Sequence, residues 1–238
     1  MDYFKGLSRK EYILKTAEMI KRDGIENLSI RKIAKELCCS SASLYRYFSG
    51  LDELIYYAEL GQLKAYIQSI NESSLIWENV WDKYVGIWYC YAMEAFRKPI
   101  SYNLLFLTKK DIELDKAIVE FYDMFPEEIR TSTPLFRTML RNPDFLGRDY
   151  EVCKVCIKSG VISEEKAVVL NRMVCFLYMG YFKNLMDKGV REESLDDYVW
   201  KFVEDTERIV FALADNLQGY TSYKEVLKRK VLKRKIKY

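Results

Sequence analysis

The chain has 238 residues, which is enough for one or two domains with a sizeable core. Half of its residues are hydrophobic and 31% are charged, as in soluble globular proteins, and its longest uncharged runs, such as 84–93, are too short to span a bilayer. It contains no histidine, the commonest metal ligand and general base, which argues against an enzyme and against a metal site. Because the N-terminus lacks the apolar segment of a secretory signal, we expect a cytoplasmic protein without membrane insertion, whose six cysteines are reduced thiols.

The charge is distributed unevenly along the chain. Residues 1–50 carry 10 basic and 6 acidic side chains, residues 51–221 carry 20 and 28, and residues 222–238 carry 8 and 1. The two ends are therefore basic and the middle is acidic, which indicates that the ends are the parts that meet a polyanion.

Nearly the whole chain has the pattern of α-helices, and alternating β patterns are absent. The predicted helices are 9–23, 30–37, 41–47, 50–70, 75–97, 99–108, 111–125, 148–159, 163–188 and 194–218. The proline-rich stretch 126–147 is expected to be an irregular connection. Three capping boxes are predicted, at Ser8, Ser49 and Ser194, each with an acidic residue three positions later. Helices are expected to stop at Gly24, Gly160, Gly189 and Gly219.

The first three helices have the pattern of a helix-turn-helix unit that reads DNA. In such a unit Leu44 and Phe48 pack the third helix onto Ile33 and Leu37. The outward side chains must be small or flat and polar to fit the major groove, and the following residues meet that need: Ser41, Ser43, Tyr45, Arg46 and Tyr47.

Two segments at this spacing, GIENLSIRKIAKEL (24–37) and LYRYF (44–48), closely resemble the TetR family of transcriptional regulators. The resemblance covers about 47 residues; beyond residue 60 it is limited to the helical pattern and the length. It implies an all-α fold, with an N-terminal three-helix DNA-binding domain and a larger C-terminal helical domain for ligand binding and dimerisation.

The resemblance also implies roles for individual residues. Ser29 caps helix 2 near a phosphate, and Arg31 reaches a base edge, although it could instead be a solvated helix charge. Ser40 and Ser41 start the recognition helix as an anion site. The groove is lined by Ser43, Tyr45, Arg46 and Tyr47. Tyr45 could alternatively be a core aromatic, as Phe48 is expected to be.

The sequence departs from the family pattern at three places. Cys38-Cys39 replaces the usual turn Gly-Val, Ala42 replaces a glycine, and Leu51 replaces a lysine that contacts phosphate. The free amides of helix 4, or Lys5, Arg9 and Lys10, are candidates to replace that contact. A positive φ at Cys38 would carry strain of about 1 kcal/mol, and oxidation there is an alternative hypothesis for releasing DNA.

Two apolar stripes on the last long helices predict dimerisation, and the resemblance implies a four-helix interface between two subunits. The candidate interface residues are Val168, Cys175, Met179, Phe182, Val199, Phe202, Thr206, Ile209, Val210 and Leu213. The alternative is that these stripes form the core of a single chain.

The middle of the chain is rich in aromatic residues, which predicts a cavity for a small apolar or aromatic ligand. The candidate pocket residues are Trp88, Tyr91, Tyr102, Phe106, Phe121, Phe125 and Tyr178. Gly61, inside the predicted helix 50–70, is either a flexible point or a close packing contact. Cys153 and Cys156 are expected to be buried on one helix face, because a zinc site would need more ligands.

These features predict a homodimeric transcriptional regulator, most simply a repressor that a small molecule releases from a double-stranded DNA operator. The predicted divisions are a DNA-binding domain 1–50, a ligand-binding and dimerisation domain 51–221, and a basic tail 222–238 that is solvated and partly disordered. No cofactor is expected. The main alternative is a helical adaptor whose basic tail binds an acidic partner or surface.

Overall fold

The computed structural model describes residues 6–108, 114–129, 133–142 and 144–235. Within these ranges every regular element is helical, with 3-10 turns at Ile25–Asn27 and Glu192–Ser194. The α-helices are α1 (Arg9–Asp23), α2 (Ile30–Glu36), α3 (Ser41–Leu44), α4 (Leu51–Leu60), α5 (Leu63–Ser74), α6 (Val80–Arg97), α7 (Pro99–Phe106), α8 (Leu114–Met124), α9 (Pro126–Ile129), α10 (Pro134–Arg141), α11 (Phe145–Lys158), α12 (Glu164–Lys188), α13 (Leu195–Leu213) and α14 (Tyr223–Lys235). The all-α fold predicted from the sequence is confirmed.

Several predicted boundaries were wrong, for local reasons. The helix predicted for 50–70 is divided at Gly61 and Gln62 into α4 and α5. The helix predicted to begin at residue 75 begins at Val80, because the Asn79 side chain accepts hydrogen bonds from the Trp81 and Asp82 amides and caps the helix start.

The stretch 126–147 is not wholly irregular. It holds α9, α10 and the start of α11, and α10 begins with Pro134 at a position where the missing N–H costs nothing. Pro143 lies outside the described residues.

The predicted helix ends had mixed outcomes. Ser8 and Glu11 form the expected capping box, but Gly50, and not Ser49, precedes α4, and Ser49 bonds to Glu53 instead. Ser194 makes no side-chain cap, since a 3-10 turn leads into α13. The four predicted stop glycines all have positive φ, between 69° and 83°, a conformation that costs glycine little.

The molecule has a head, formed by helices α1–α3, and a body, formed by helices α5–α14. Helix α6 is the centre of the body and contacts α5, α11, α12, α13 and α14. The three head helices pack in sequence, and α1 also packs along α4. Helix α4 therefore connects the head to the body. No helix in the described part of the chain is long and apolar enough to cross a membrane.

The basic tail differs from its prediction. Its described part forms α14, in which Tyr223 and Val226 are fully buried. The indole of Trp77 donates to the Tyr223 hydroxyl at 3.0 Å, and the Arg229 guanidinium bonds to the buried carboxylate of Asp82 at 2.5 Å. The start of the tail is thus docked rather than solvated. Residues 236–238 lie outside the described residues.

Candidate DNA-binding and ligand-binding sites

The helix-turn-helix unit is held by a small apolar core. Ile33 and Leu44 are completely buried, Phe48 is 2% exposed, and Leu37 is half-buried, as the pattern predicted. In the turn, the Cys39 amide bonds to the Ala34 carbonyl at 2.9 Å. These contacts fix the angle between α2 and α3.

Cys38 occupies the position in the turn where the family pattern has a glycine. Its φ is 52°, in the left-handed region that a residue with a Cβ rarely adopts. Its thiol is free and exposed. The turn therefore stores backbone strain that a glycine would avoid.

The serines of the predicted site act as helix caps. The Ser29 hydroxyl accepts from the Lys32 amide at 3.2 Å and begins α2. The Ser40 hydroxyl accepts from the Ser43 amide at 3.3 Å and begins α3, and the Ser43 hydroxyl donates to the Ser40 carbonyl. Ser41, the first residue of α3, is half-buried beside them.

The larger predicted site residues face outward. Arg31 and Arg46 are exposed, Tyr45 is 57% exposed and Tyr47 is 36% exposed. The Tyr47 ring leans on the buried Tyr12, with the ring centroids 5.8 Å apart. Tyr45 is therefore not a core residue. Helix α3 itself ends at Leu44, and the segment that carries these side chains continues as a turn.

Two of the three residues expected to replace the lost lysine contact are engaged elsewhere. The Arg9 guanidinium bonds to Glu120 at 2.7 Å and to Glu53 at 3.4 Å. The Lys10 ammonium bonds to the Met124 carbonyl at 3.1 Å and to Glu127 at 3.2 Å. Both cations join the head to the body. Lys5 lies outside the described residues.

We define the Arg9 junction as Arg9, Glu53, Tyr57 and Glu120. The Arg9 guanidinium lies 4.3 Å from the Tyr57 ring centroid, and the Tyr57 hydroxyl donates to Glu120. This hydrogen bond, helped by Arg9, lowers the pKa of Glu120 against the opposing effect of burial. The Glu120 carboxylate of α8 thus bonds to both α1, through Arg9, and α4, through Tyr57.

The body contains a cavity of about 40 Å³. It is lined by Tyr66, Ile87, Trp88, Tyr91, Phe106, Phe136, Met139, Leu140, Phe145, Arg148 and Asp149. This volume is close to that of one water molecule and far below the several hundred Å³ of a typical ligand site. In this conformation the interior is almost filled.

The predicted pocket residues fall into three groups. Trp88, Tyr91 and Phe106 line the cavity. Tyr102 and Tyr178 lie one layer behind, with ring centroids 5.5 and 5.1 Å from that of Tyr91.

The remaining two predicted pocket residues, Phe121 and Phe125, lie outside the lining of this cavity. They stack on each other at 4.6 Å, and Lys10 of the head lies 4.5 Å from the Phe125 ring. They belong to the contact between the head and the body.

Asp149 is a cavity residue that the sequence reading missed. Its buried carboxylate accepts from the Trp88 indole at 2.7 Å, from Asn171 at 2.9 Å and from the Tyr84 hydroxyl at 3.2 Å. Burial raises the pKa of Asp149 to about 6, although these donors oppose the shift.

Arg148 is the second cavity residue that was missed. It is 9% exposed, and its guanidinium lies 4.4 Å from the Phe106 ring centroid and 5.6 Å from that of Phe145. It donates to the Asn142 carbonyl at 3.1 Å. Burial lowers the pKa of Arg148. The interruption of the apolar spacing 145, 149, 152, 156 by an acid was the feature of the sequence that could have revealed this pair.

A solvent-open cleft of about 560 Å³ lies beside the cavity. The two spaces share Ile87 of α6 and Phe136 and Met139 of α10. The inward side chains of α10 therefore border both spaces.

The predicted dimer residues are mostly internal. Six of them are at most 1% exposed: Cys175, Phe182, Val199, Phe202, Thr206 and Val210. Their inward position follows from the packing of α12 and α13 on each other and on α6. Met179, Ile209 and Leu213 are half-buried, and Val168 is 47% exposed.

The single chain does leave apolar side chains exposed on these helices. Beside Val168, they are Met173 (45%), Phe176 (56%), Met186 (40%) and Phe211 (42%). Met173, Phe176 and Phe211 were not among the predicted interface residues, although an exposed Phe on a long helix is the kind of side chain that marks a contact surface.

Cys153 and Cys156 are buried on one face of α11, as expected. Burial raises the pKa of Cys156 to about 12 and that of Cys153 further. In the ranges that the structure describes, no group of His, Cys, Asp and Glu is arranged to hold a metal ion.

Comparisons with known proteins agree with this geometry. Residues 13–57 match the family described as bacterial regulatory proteins, tetR family. No curated protein shows significant sequence similarity to the chain.

Solved structures are similar at low sequence identity. A protein from Shewanella sp. PV-4, assigned to the tetR family of transcription regulators, is 15% identical with a TM-score of 0.50, and the match covers 87% of this chain and 99% of that one. Another from Mesorhizobium loti, also assigned to the family, is 15% identical with a TM-score of 0.47, covering 87% and 96%.

The family match covers the residues that build the helix-turn-helix unit, and the likeness to the Shewanella structure extends over most of the helical body. Proteins of this family are DNA-binding regulators and not enzymes. Residues 13–57 therefore form a helix-turn-helix domain of the kind found in the tetR family of bacterial regulatory proteins.

Proposed function

We propose that this protein is a homodimeric repressor that a small aromatic ligand releases from its DNA operator. The proposal rests chiefly on the combination of an exposed Arg31, Tyr45 and Arg46 on the helix-turn-helix unit with an aromatic cavity in the body. The Arg9 junction between them supplies a route by which the body can move the head.

The proposed DNA contacts divide by chemistry. Arg31 and Arg46 are free to extend, and arginine pairs in a bidentate manner with guanine. Tyr45 and Tyr47 are flat side chains that contact sugar, phosphate or the thymine methyl group. Ser29, Ser40, Ser41 and Ser43 lie where capped helix starts can meet phosphates, and they would set the register of the unit on DNA.

A second copy of the chain is the proposed partner. The exposed apolar side chains of α12 and α13, with Phe176 at their centre, offer a surface that two copies can bury against each other. Gly180 lies one turn beyond Phe176, and a Cβ placed there would contact nothing within 4 Å. The surface at Gly180 therefore has room for a bulky side chain of the other subunit.

The proposed coupling follows the packing of the helices. Helix α10 supplies Phe136 and Met139 to the cavity wall and packs against α8. Helix α8 in turn holds the head through Glu120, and it also packs on α4. A ligand that displaces α10 would therefore shift α8, and with it the Arg9 junction, which changes the separation of the two heads on DNA.

DNA binding can be tested with an operator selected from random duplexes by the protein itself. At fixed salt, Arg46→Ala is expected to weaken specific binding by roughly 10- to 100-fold in fluorescence anisotropy, because a base contact is lost. Arg191→Ala is the matched control, since Arg191 is an exposed arginine in the loop after α12. Operator affinity of Arg46→Ala within error of the wild type would contradict the assigned role of Arg46 and favour the adaptor.

Ligand control can be tested on the same complex. A small aromatic compound that raises the melting temperature of the protein is expected to lower its operator affinity, because the ligand favours the conformation that does not fit the operator. A compound that stabilises the protein through the cavity but leaves operator affinity unchanged would contradict release by ligand.

A further inference from the structure

The turn between α2 and α3 contains two adjacent thiols, those of Cys38 and Cys39. The Cys38 thiol is free and exposed, and the free thiol of Cys39 is half-buried. The other four cysteines are also free, but all of them are buried in the body: Cys90, Cys153, Cys156 and Cys175. Burial raises the pKa of Cys156 to about 12, and the ionised thiol is the form that reacts with oxidants. The thiols most accessible to an oxidant are therefore those of the turn.

The adjacency of the two residues makes a bond between them unusual. Neighbouring Cα atoms are about 3.8 Å apart, whereas most disulfides join Cα atoms that are about 4.4–6.8 Å apart. An S–S bond between Cys38 and Cys39 therefore requires the backbone between them to rotate. A disulfide formed under such strain is easily reduced, which makes its formation reversible.

The same stretch of backbone sets the angle between α2 and α3. The Cys38 amide donates to the Lys35 carbonyl at 3.1 Å, and the Cys39 amide donates to the Ala34 carbonyl at 2.9 Å. The φ of Cys38 is 52°, which is strained for a residue with a Cβ. Rotation at this turn would relieve that strain and disturb these hydrogen bonds, so the recognition segment would change its angle to α2.

The side chain of Cys39 connects the turn to a proposed DNA contact. Its sulfur lies 3.5 Å from the hydroxyl of the buried Tyr12, and the Tyr12 ring lies against the Tyr47 ring at a centroid distance of 5.8 Å. A bond to Cys38 would draw the Cys39 sulfur towards the exposed thiol and away from Tyr12. One covalent change would thus alter both the turn and the packing behind Tyr47.

We propose that Cys38 and Cys39 form a thiol pair that a peroxide oxidises to a disulfide, and that this reversible oxidation releases the protein from DNA. The inference rests on the proposed binding of DNA by the head. It is independent of release by a small ligand in the body.

The reaction consumes one molecule of hydrogen peroxide. The Cys38 sulfur attacks a peroxide oxygen, the O–O bond breaks, and the departing hydroxide takes up the thiol proton and leaves as water, so that Cys38 becomes a sulfenic acid. The Cys39 sulfur then attacks the Cys38 sulfur, the S–S bond forms, the S–O bond breaks, and the hydroxyl leaves with the Cys39 proton as a second water. The two thiols lose two electrons and two protons, which reduce the peroxide to water.

The test measures affinity for the selected operator by fluorescence anisotropy, before and after treatment with equimolar hydrogen peroxide. The oxidised wild type is expected to bind at least about tenfold more weakly, since the recognition segment no longer fits the groove. Dithiothreitol is expected to restore the affinity. Peptide mapping without reductant is expected to show the loss of two hydrogen atoms from the peptide that holds both cysteines.

The matched variants carry the residues of the family pattern, Gly-Val. The double variant Cys38→Gly/Cys39→Val is expected to bind the operator as the reduced wild type does and to be insensitive to peroxide, although it keeps the four buried cysteines. Cys39→Val alone keeps the exposed thiol, and it is expected to keep most of its affinity after treatment because no ring can form.

Three results would overturn the inference: unchanged affinity of a wild type that contains the disulfide, a peroxide response that persists in the double variant, and a loss of affinity in Cys39→Val equal to that of the wild type. Oxidation of Cys38 to a sulfinic acid without an S–S bond would overturn it as well.

The proposed function can fail separately from this inference. If the reduced wild type binds its operator but peroxide has no effect, the thiol switch is wrong and DNA binding stands. If the reduced wild type selects no operator, DNA binding is wrong, and with it the release of DNA by oxidation, while the peptide map still shows whether the disulfide forms.

Discussion

The head and the body of this molecule use charge in opposite ways. In the head, Arg31 and Arg46 are exposed and the core is a few apolar side chains such as Ile33 and Leu44. In the body, Arg148 and Asp149 are buried among aromatic rings. An exposed cation can bind any polyanion with little loss of hydration. A buried cation has lost its hydration, and this free-energy cost is offset only where a particular partner interacts with the charge.

The largest effect is expected at the buried carboxylate. Asp149→Asn should lower the free energy of unfolding by roughly 1–3 kcal/mol near pH 7, because an amide cannot accept from all three donors and places its own N–H groups against them. Urea unfolding measures the loss. Glu151→Gln on the same helix, which weakens a surface ion pair with Lys154, should cost less than about 1 kcal/mol.

The loss at Asp149 should depend on pH. Burial raises the folded-state pKa to about 6 from the ordinary value of 3.8, so this carboxyl stabilises the fold most when protonated, and that stability is lost as pH rises from about 4 through 6. The penalty of Asp149→Asn should therefore grow on acidification, by up to about 3 kcal/mol. A penalty that stays constant between pH 7 and pH 4.5 would show that Asp149 does not titrate in this way.

The proposed contact between subunits comes next in size. Phe176→Glu should weaken dimerisation at least about a hundredfold, since each copy loses a buried aromatic side chain and gains a charge. Sedimentation velocity over a range of concentrations measures this. Ile100→Glu changes an apolar side chain that is 64% exposed on α7 and should leave the dimer intact; equal effects of the two variants would argue against this surface.

A smaller effect, of opposite sign, is expected in the head. Cys38→Gly should raise the free energy of unfolding by about 1 kcal/mol, because glycine adopts the φ of 52° without steric strain. Cys38→Ala keeps the Cβ and should give no such gain. If both variants stabilise equally, the thiol and not the backbone is the source of the strain.

The smallest effect is expected where the two regions meet. Glu120→Gln should cost less than about 1 kcal/mol, because the pair with Arg9 is half open to solvent. A double-mutant cycle with Arg9→Met isolates the coupling, and Glu18→Gln in the surface pair with Lys15 serves as the reference. A coupling indistinguishable from zero would remove the Arg9 junction as a mechanical link.

The difference between the two regions also governs what could be predicted from the sequence. The turn at Cys38 and the buried Leu44 and Phe48 follow from local spacing, since every constraint lies within about 50 residues. Arg148 and Asp149 could not be placed in the same way, because their contacts come from helices far apart in sequence. Asp149 accepts from Trp88 and Asn171, and Arg148 lies over the ring of Phe106. Similarly, spacing identified an apolar stripe on α13 but not which of its sides faces α6. Val199 and Phe202 were therefore candidates for the subunit interface or for the core, and they are core.

The docked tail has a consequence for how the C-terminus can be altered. Asp82 is completely buried and its bond to Arg229 holds α14 on α6, while Arg229 also lies 3.4 Å from Glu78 at the edge of the cleft. Proteolysis before Tyr223 would strip the counter-charge from an interior carboxylate, so a trimmed protein would be weakened in its body and not merely less basic. Helix α14 thus contributes both positive charge and packing against α6, and variants that test one of these should leave the other unchanged.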